Sequence, residues 1–294
     1  MISAALIHNP KAGDEAHTEE EIVSMIESEG IHCTYYSIKE KDWKKAELNY
    51  NFLIVAGGDG TVRKVTVNLL EGKLKNNLPI ALLPAGTANN IAKTLGATGL
   101  TADIVRSWKE KNLKKFDVGK VNGVPDVGYF IEGFGFGVFP LLMREMKKQP
   151  DIDSANVKME LALELLAQIV DSYRPKYCSL QIDGKEYSGT FLLMEIMNIQ
   201  AIGPNLLLSA ESDPGDGEFE VVMIPESGRE KFLEYLKRRL QGVNEAYAYD
   251  TFKGRNIKFK TEDQLLHADD ELISQPHFDE ISIELKDGLL EFLV

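Results

Sequence analysis

The first third of the chain alternates short apolar runs with amphipathic stretches. Ile2–Ile7 reads as a buried strand that ends in a turn, Asn9-Pro10-Lys11-Ala12-Gly13. From Thr18 to Ser28, Ile22, Val23, Met25 and Ile26 recur at helical spacing, with Glu19–Glu21 in the first turn and Gly30 beyond the end. That spacing predicts a helix with its acids at the positive end of the helix dipole. Ile31–Ile38 reads as a strand. Phe52–Ala56 is wholly apolar and runs into Gly57-Gly58, after which Val62–Leu70 has helical period. Ile80–Leu83 is a second such run, ending at Pro84-Ala85-Gly86-Thr87, and Ala88–Leu95 is helical until Gly96. Continuous apolar strands alternating with helices predict a parallel sheet covered on both faces.

The period changes after Asp117. Lys120–Val121 and Tyr129–Ile131 flank Asn122-Gly123, and Ser179–Ile182 and Tyr187–Met197 flank Asp183-Gly184. Both dipeptides signal hairpins. Phe219–Ile224, Ile257–Phe259 and Ile281–Leu285 alternate with period two, and Lys286-Asp287-Gly288 predicts a turn into Leu289–Val294. Helices are expected at Val157–Tyr173 and Arg229–Leu240. The fold class is therefore α/β followed by antiparallel β. The expected domains are 1–118 and 119–294, with the C-terminal residues free to pack back on the first.

Composition narrows the function. The chain has 294 residues, 44% of them hydrophobic, and a formal net charge of -13. Such a chain repels phosphate backbones and anionic membrane surfaces, so nucleic acid is not an expected partner. Residues 1–117 hold 15 basic and 15 acidic side chains, so the whole charge excess lies in the second domain. Cys33 and Cys178 are far apart and lack metal-ligand spacing, which predicts two buried thiols. The N-terminus lacks the basic region of a signal peptide, and no run approaches the roughly 20 apolar residues of a membrane span. A cytoplasmic protein, peripheral to a membrane at most, is expected.

Two glycine turns carry the candidate chemistry. Gly57-Gly58-Asp59-Gly60-Thr61 follows a buried strand and opens a helix. Ligands bind at the carboxyl ends of strands in such sheets, and glycines let backbone approach a phosphate at a helix N-terminus. Asp59 would repel that phosphate unless a divalent cation lies between them, which makes it a candidate organiser of Mg2+. A plain helix cap uses the same residues. Pro84-Ala85-Gly86-Thr87-Ala88-Asn89-Asn90 repeats the design one unit later, and its asparagines also suit a cap. Asn9-Pro10 lies at the same sheet edge. Neither GxxxxGK[ST] nor GxGxxG is present.

Taken together, IHNPKAG (7–13), GGDGTV (57–62), PAGTANNIAKTLG (84–96), DVGKVNG (117–123), DPGDGEFEV (213–221) and HADDEL (267–272) resemble the diacylglycerol kinase catalytic domain family, which includes bacterial lipid kinases and sphingosine kinases. GGDGT alone also occurs in NAD kinases and resembles phosphofructokinase. The resemblance implies a phosphofructokinase- or NAD-kinase-like α/β domain followed by an antiparallel β-sandwich. It implies an ATP- and Mg2+-dependent kinase acting on a lipid with a free hydroxyl, diacylglycerol-like, through transient membrane contact. A homodimer is compatible with it.

Carried over residue by residue, the nucleotide contacts are Asn9, Ser37, Gly57, Gly58, Asp59, Gly60, Thr61, Val62, Arg63, Thr87 and Asn89. Glu271 matches the family's general base, joined by Asp59 in catalysis, and Asp270 replaces a family glycine. That replacement raises a question of backbone geometry, and three adjacent carboxylates, Asp269–Glu271, would repel one another. Asp213, Asp216 and Glu218 match a structural Mg2+ segment, with one carboxylate and two carbonyls as ligands. Asp117 stands at the domain junction. The acceptor's tail is matched by Phe134, Phe136, Phe139, Leu141, Leu142 and Met143, a run that a sandwich core would equally use. Val138-Phe139-Pro140 lacks the acid that sphingosine kinases place there, against a sphingoid base. The chain ends about where the family's sandwich ends. Two other readings are a kinase of a soluble hydroxyl, NAD-kinase-like, and a non-catalytic nucleotide or lipid sensor.

Overall fold

A computed structural model describes residues 2–12, 18–45, 49–72, 78–150, 152 and 154–294. Gly13 of the first expected turn lies outside the described residues; Ala12 N donates to Asn9 O at 3.0 Å, closing the part before it. The chain divides into two compact units. The first comprises Met1–Phe116, Asp153–Ala155 and Gly288–Val294, and the second Asp117–Ile152 and Asn156–Asp287.

The first unit runs β1 (Ile2–His8), α1 (Glu19–Ser28), β2 (Ile31–Ser37), β3 (Phe52–Gly57), α2 (Asp59–Leu70), β4 (Ile80–Pro84), α3 (Asn90–Thr94), α4 (Thr101–Ser107) and the start of β5 (Leu113–Asn122). Its strands lie parallel in the order β2-β1-β3-β4. The six residues of β3 are all buried, as a strand covered on both faces requires. Phe52, Ile54 and Ala56 share one face with Leu6, Ile22, Ile26 and Trp108. Thr18 and Glu21 form a reciprocal capping box that starts α1, and Gly30 (φ 81°) lies just beyond its end.

The second unit continues with β6 (Tyr129–Phe130), β7 (Gly133–Gly137), α5 (Val138–Met146), α6 (Ala155–Ser172), β8 (Lys176–Ile182), β9 (Lys185–Met197), β10 (Ala201–Ile202), β11 (Leu206–Leu207), β12 (Phe219–Pro225), α7 (Arg229–Leu240), β13 (Thr251–Gly254), β14 (Asn256–Thr261), β15 (Leu265–Ala268), β16 (Glu271–Ser274) and β17 (Ile281–Leu293). Its ladders are antiparallel, in the order β16-β15-β7-β9-β8-β14-β17, with β12 between β9 and β13.

The long strand β9 organises this unit. Its first half pairs β8 and alternates in exposure; its second half pairs β7 and β12 and is wholly buried. Met194 and Ile196 face the sandwich core with Phe134, Phe136, Phe219 and Phe259. Leu193 and Met197 face a second core built with α5, α6 and α7.

Two sequence expectations change. Val138–Met146, within the apolar run, is a helix. Lys286-Asp287-Gly288 does not turn the chain back: β17 runs through it as one strand, and Gly288 takes a positive φ of 55° inside it. The strand continues because its two ends have different partners. Ile281–Glu284 pairs β14 antiparallel, whereas Phe292 and Leu293 extend the first unit's sheet parallel to β4. Phe292 is fully buried there, its ring 4.9 Å from that of Phe116. Phe292→Ala is expected to destabilise the protein by about 3–5 kcal/mol through the cavity it leaves. Urea unfolding measures this, and a loss below about 1 kcal/mol would show that the last strand contributes little.

Candidate active site

In the first unit the strand ends bring two glycine turns into contact. Gly57 ends β3, and Ala85 N, just after β4, donates to Gly57 O at 3.0 Å. The next residues touch backbone to backbone: a Cβ on Gly86 would lie 2.3 Å from Gly58 Cα. A Cβ on Gly57 would strike the Thr61 hydroxyl at 2.5 Å. Only glycine fits this approach. Asn9 follows β1 and donates from Nδ2 to Thr61 Oγ1 at 3.1 Å, tying the first strand end to α2. Ser37 ends β2 opposite His8, so it too stands at this edge.

Asp59 joins the two turns. Its carboxylate accepts from Asn90 N at 2.9 Å and from Ile91 N at 3.1 Å, supplying at the start of α3 what a helix cap supplies. Asn89 therefore does not cap: at φ 52° it bonds back to Gly86 N and Gly86 O, both at 2.8 Å, and closes its own turn. No side chain caps α2 at Gly58. Thr61 and Val62 are buried, and their N–H groups donate to Gly58 O at 2.8 and 3.1 Å, while Arg63 and Thr87 are partly exposed. A helix start beside close-packed glycines suits a phosphate.

In the second unit β15 and β16 form a hairpin across Asp269-Asp270, and Glu271, its first residue beyond the turn, is exposed. The positive φ in this turn belongs to Asp269, at 54°, not to Asp270, so aspartate in the glycine's place meets no left-handed backbone. Asp269 is 5% exposed, and its carboxylate accepts from Ile131 N (3.0 Å), Glu132 N (2.7 Å) and Gly133 N (3.2 Å). Three backbone N–H groups thus absorb one of the three neighbouring charges.

The same unit holds a buried network that the sequence did not announce. His267 and Glu195 are both buried, with Nε2 2.8 Å from Oε1 and 3.0 Å from Oε2. His267 Nδ1 lies 2.9 Å from Asp269 O. Burial opposes charge on the imidazole, but the Glu195 carboxylate outweighs it and holds His267 above its ordinary pKa. Asn198 donates from Nδ2 to Asp117 O at 2.8 Å and Ile131 O at 2.9 Å. One signal was legible: Glu195 is the lone charge in the apolar second half of β9, and a buried charge demands a partner.

The segment matched to a metal site is held by cations of the chain itself. Lys253 Nζ lies 3.1 Å from Glu220, 3.4 Å from Asp216 and 3.8 Å from Glu218. The Glu220 carboxylate holds the Lys253 ammonium above its ordinary pKa. Arg255 donates to Gly217 O at 2.8 Å, Asp216 N to Asp213 O at 3.1 Å, and Glu218 N to Asp216 Oδ1 at 3.0 Å. Asp117, fully buried, accepts from Gly217 N at 2.8 Å and braces the same turn. Among the described residues no cluster of three His, Cys, Asp or Glu side chains is spaced to hold a metal. In this arrangement backbone N–H groups meet oxygens of Asp213 and Asp216, and the Lys253 ammonium supplies positive charge beside Asp216 and Glu218.

The apolar run divides as well. Phe134 and Phe136 belong to the sandwich core and Phe139 and Leu142 to the helix-side core; Leu141 and Met143 retain exposure. Helix α7 buries Phe232, Tyr235 and Leu236. Its arginines hold neighbouring segments: Arg229 donates to Tyr173 O, Arg239 to Asn205 O, and Arg238 pairs with Glu245. Among the described residues no helix is long and apolar enough to cross a membrane.

Comparison with known proteins extends this geometry. Residues 3–121 match the diacylglycerol kinase catalytic domain, and residues 151–282 match the YegS C-terminal NAD kinase beta sandwich-like domain. A diacylglycerol kinase of Bacillus subtilis is 25% identical over 90% of this chain and 88% of its own. A crystal structure of a diacylglycerol kinase from Bacillus anthracis superposes with a TM-score of 0.73 at 21% identity, over 99% of this chain and 96% of that one. An NAD kinase from Archaeoglobus fulgidus, solved in complex with ATP, gives 0.53 at 14% identity, over 100% and 94%. These structural likenesses establish the fold, an N-terminal α/β domain and a C-terminal antiparallel β-sandwich.

Two measurements probe this site. Asp59→Ala is expected to cost about 1–3 kcal/mol in chemical denaturation, because α3 loses the acceptor for two N–H groups. Wild-type stability in that variant would show that α3 starts without the carboxylate. The melting temperature of the protein without nucleotide is expected to be the same in EDTA and in Mg2+. Lys253→Ala is expected to melt lower in EDTA and to recover when Mg2+ or Ca2+ is added. A clear Mg2+-dependent rise in the wild type would show that an ion displaces Lys253.

Proposed function

Because residues 3–121 match the diacylglycerol kinase catalytic domain and residues 151–282 the YegS C-terminal domain, we propose that the chain transfers the γ-phosphoryl group of ATP to the free hydroxyl of a diacylglycerol-like lipid. One observation carries the nucleotide half of this reading: the contact of Gly58 with Gly86 at the carboxyl ends of β3 and β4, braced by Asp59. In this reading ATP enters as its Mg2+ complex. Its phosphates lie against the glycine turn and helix start from Gly58 to Arg63, and Asn9, Ser37, Thr87 and Asn89 stand around them. Asp59 holds both turns in register and brings its charge to the side where the cation travelling with the nucleotide is bound.

Glu271 serves as the general base. The lipid hydroxyl oxygen attacks the γ-phosphorus, the bond from that phosphorus to the β–γ bridging oxygen breaks, and ADP departs. The hydroxyl proton passes to the Glu271 carboxylate. The exposure of Glu271 at a hairpin tip supports this role, and the nesting of Asp269 supports it further, since one competing charge is withdrawn. The acceptor reaches the enzyme by transient contact with a membrane surface. Leu141 and Met143 are the matched apolar positions still exposed enough to meet an acyl chain.

Incubation with labelled ATP and mixed micelles of diacylglycerol tests the reading. Label is expected in a chloroform-extractable product, and Glu271→Gln is expected to lower kcat by about 100-fold or more with an unchanged melting temperature. Label confined to a water-soluble product would replace the lipid with a soluble acceptor. ATP binding without transfer to any lipid would make the protein a sensor.

A further inference from the structure

Three adjacent strands place His267, Gly135 and Glu195 in line. His267 of β15 is in register with Gly135 of β7, and Gly135 with Glu195 of β9. Residues two strands apart stand about 10 Å from each other and do not ordinarily touch. Here they do, because the middle residue has no side chain: a Cβ on Gly135 would lie 2.5 Å from Glu195 Oε2, and one on Gly133 3.0 Å from Oε1. The alternating glycines of β7 thus open a slot across which an imidazole and a carboxylate meet. Phe139 of α5 closes it, its ring 4.7 Å from His267 and edge to face.

The far side of the imidazole faces the turn that carries Glu271. Nδ1 confronts a carbonyl, Asp269 O, and so must bear hydrogen; Nε2 confronts the carboxylate of Glu195. The ring therefore has one orientation, and Asp269 is gripped from both ends, its carbonyl by His267 and its carboxylate by the amides of Ile131, Glu132 and Gly133. Asp269 N also donates to Gly133 O at 2.8 Å. We propose that Glu195 and His267, meeting across Gly135, form a positioning pair that holds the Asp269–Glu271 turn and aims Glu271 at the acceptor hydroxyl. This rests on Glu271 being the base. Neither member of the pair touches a reacting atom; both act through the turn.

The double substitution Glu195→Leu with His267→Leu removes the pair without stranding a buried charge. On the full chain it is expected to melt near the wild type. Amide exchange at Ile131–Gly133 is expected to quicken, and kcat to fall by about 100-fold with KM for ATP unchanged, as a misplaced catalytic group would give. Glu195→Gln, whose amide donates to Nε2 while Nδ1 still donates to Asp269 O, is expected to restore both slow exchange and most of kcat. Should the double variant fail to fold, His267→Gln replaces it, keeping a donor against Glu195 while releasing the Asp269 carbonyl. Wild-type exchange at the three amides would overturn the proposal. Faster exchange with unchanged kcat, alongside an inactive Glu271→Gln variant, would overturn it as well. A fully active Glu271→Gln variant would instead remove the base assignment, and the exchange data alone would then decide whether the pair holds the turn.

Discussion

An aspartate carboxylate accepting backbone N–H groups from a segment distant in sequence is the contact on which three turns of this protein depend. Asp59 does this for α3, Asp117 for the turn at Gly217, and Asp269 for residues 131–133. Charge-assisted bonds to backbone are stronger than neutral ones, and they position main chain, which no side-chain packing can hold as firmly. A carboxylate so used is withdrawn from solvent and from its acidic neighbours. The same chemistry that orders the loops thereby lets exposed acids such as Glu271 stand near others.

Glycine is the complement of these carboxylates. Gly58 and Gly86 let two turns meet in one unit, and Gly133 and Gly135 let a buried carboxyl–imidazole pair form in the other. In both places what matters is the missing Cβ: a methyl group would occupy the space that backbone or a carboxylate now fills. The glycines of β7 lie in a fully buried strand between two others.

The net charge of -13 acquires a structural meaning in the second unit. Part of its acidity is internal and answered within the chain, by Lys253 among Asp216, Glu218 and Glu220, and by His267 at Glu195. A lysine ammonium can stand where a hard cation would, because both offer positive charge to a ring of oxygens. The lysine differs in bringing a fixed stem and three directed N–H donors.

The strand–helix alternation of the first third, the hairpin signals at Asn122-Gly123 and Asp183-Gly184, and the buried character of β3 were all readable along the chain. Each follows from periodicity or from turn chemistry, which are local. The glycine turns and the family motifs were local too, and they led to the diacylglycerol kinase catalytic domain that residues 3–121 match. Residues 286–288 misled because a lysine, an aspartate and a glycine carry the same local preference whether the chain reverses or merely bends. What settled it was that Phe292 and Leu293 find their partners on β4, in another unit from the partners of Ile281–Glu284. Asp59 stood out along the chain as a candidate neighbour of a cation, but that it also caps a helix 31 residues on was visible only in the fold. Sequence alone determined the strand–helix alternation of the first third and the hairpins of the rest, since those depend on near neighbours. Only the tertiary structure decided which carboxylate meets which N–H, because Glu195 and His267, 72 residues apart, become partners only when three strands fall into register.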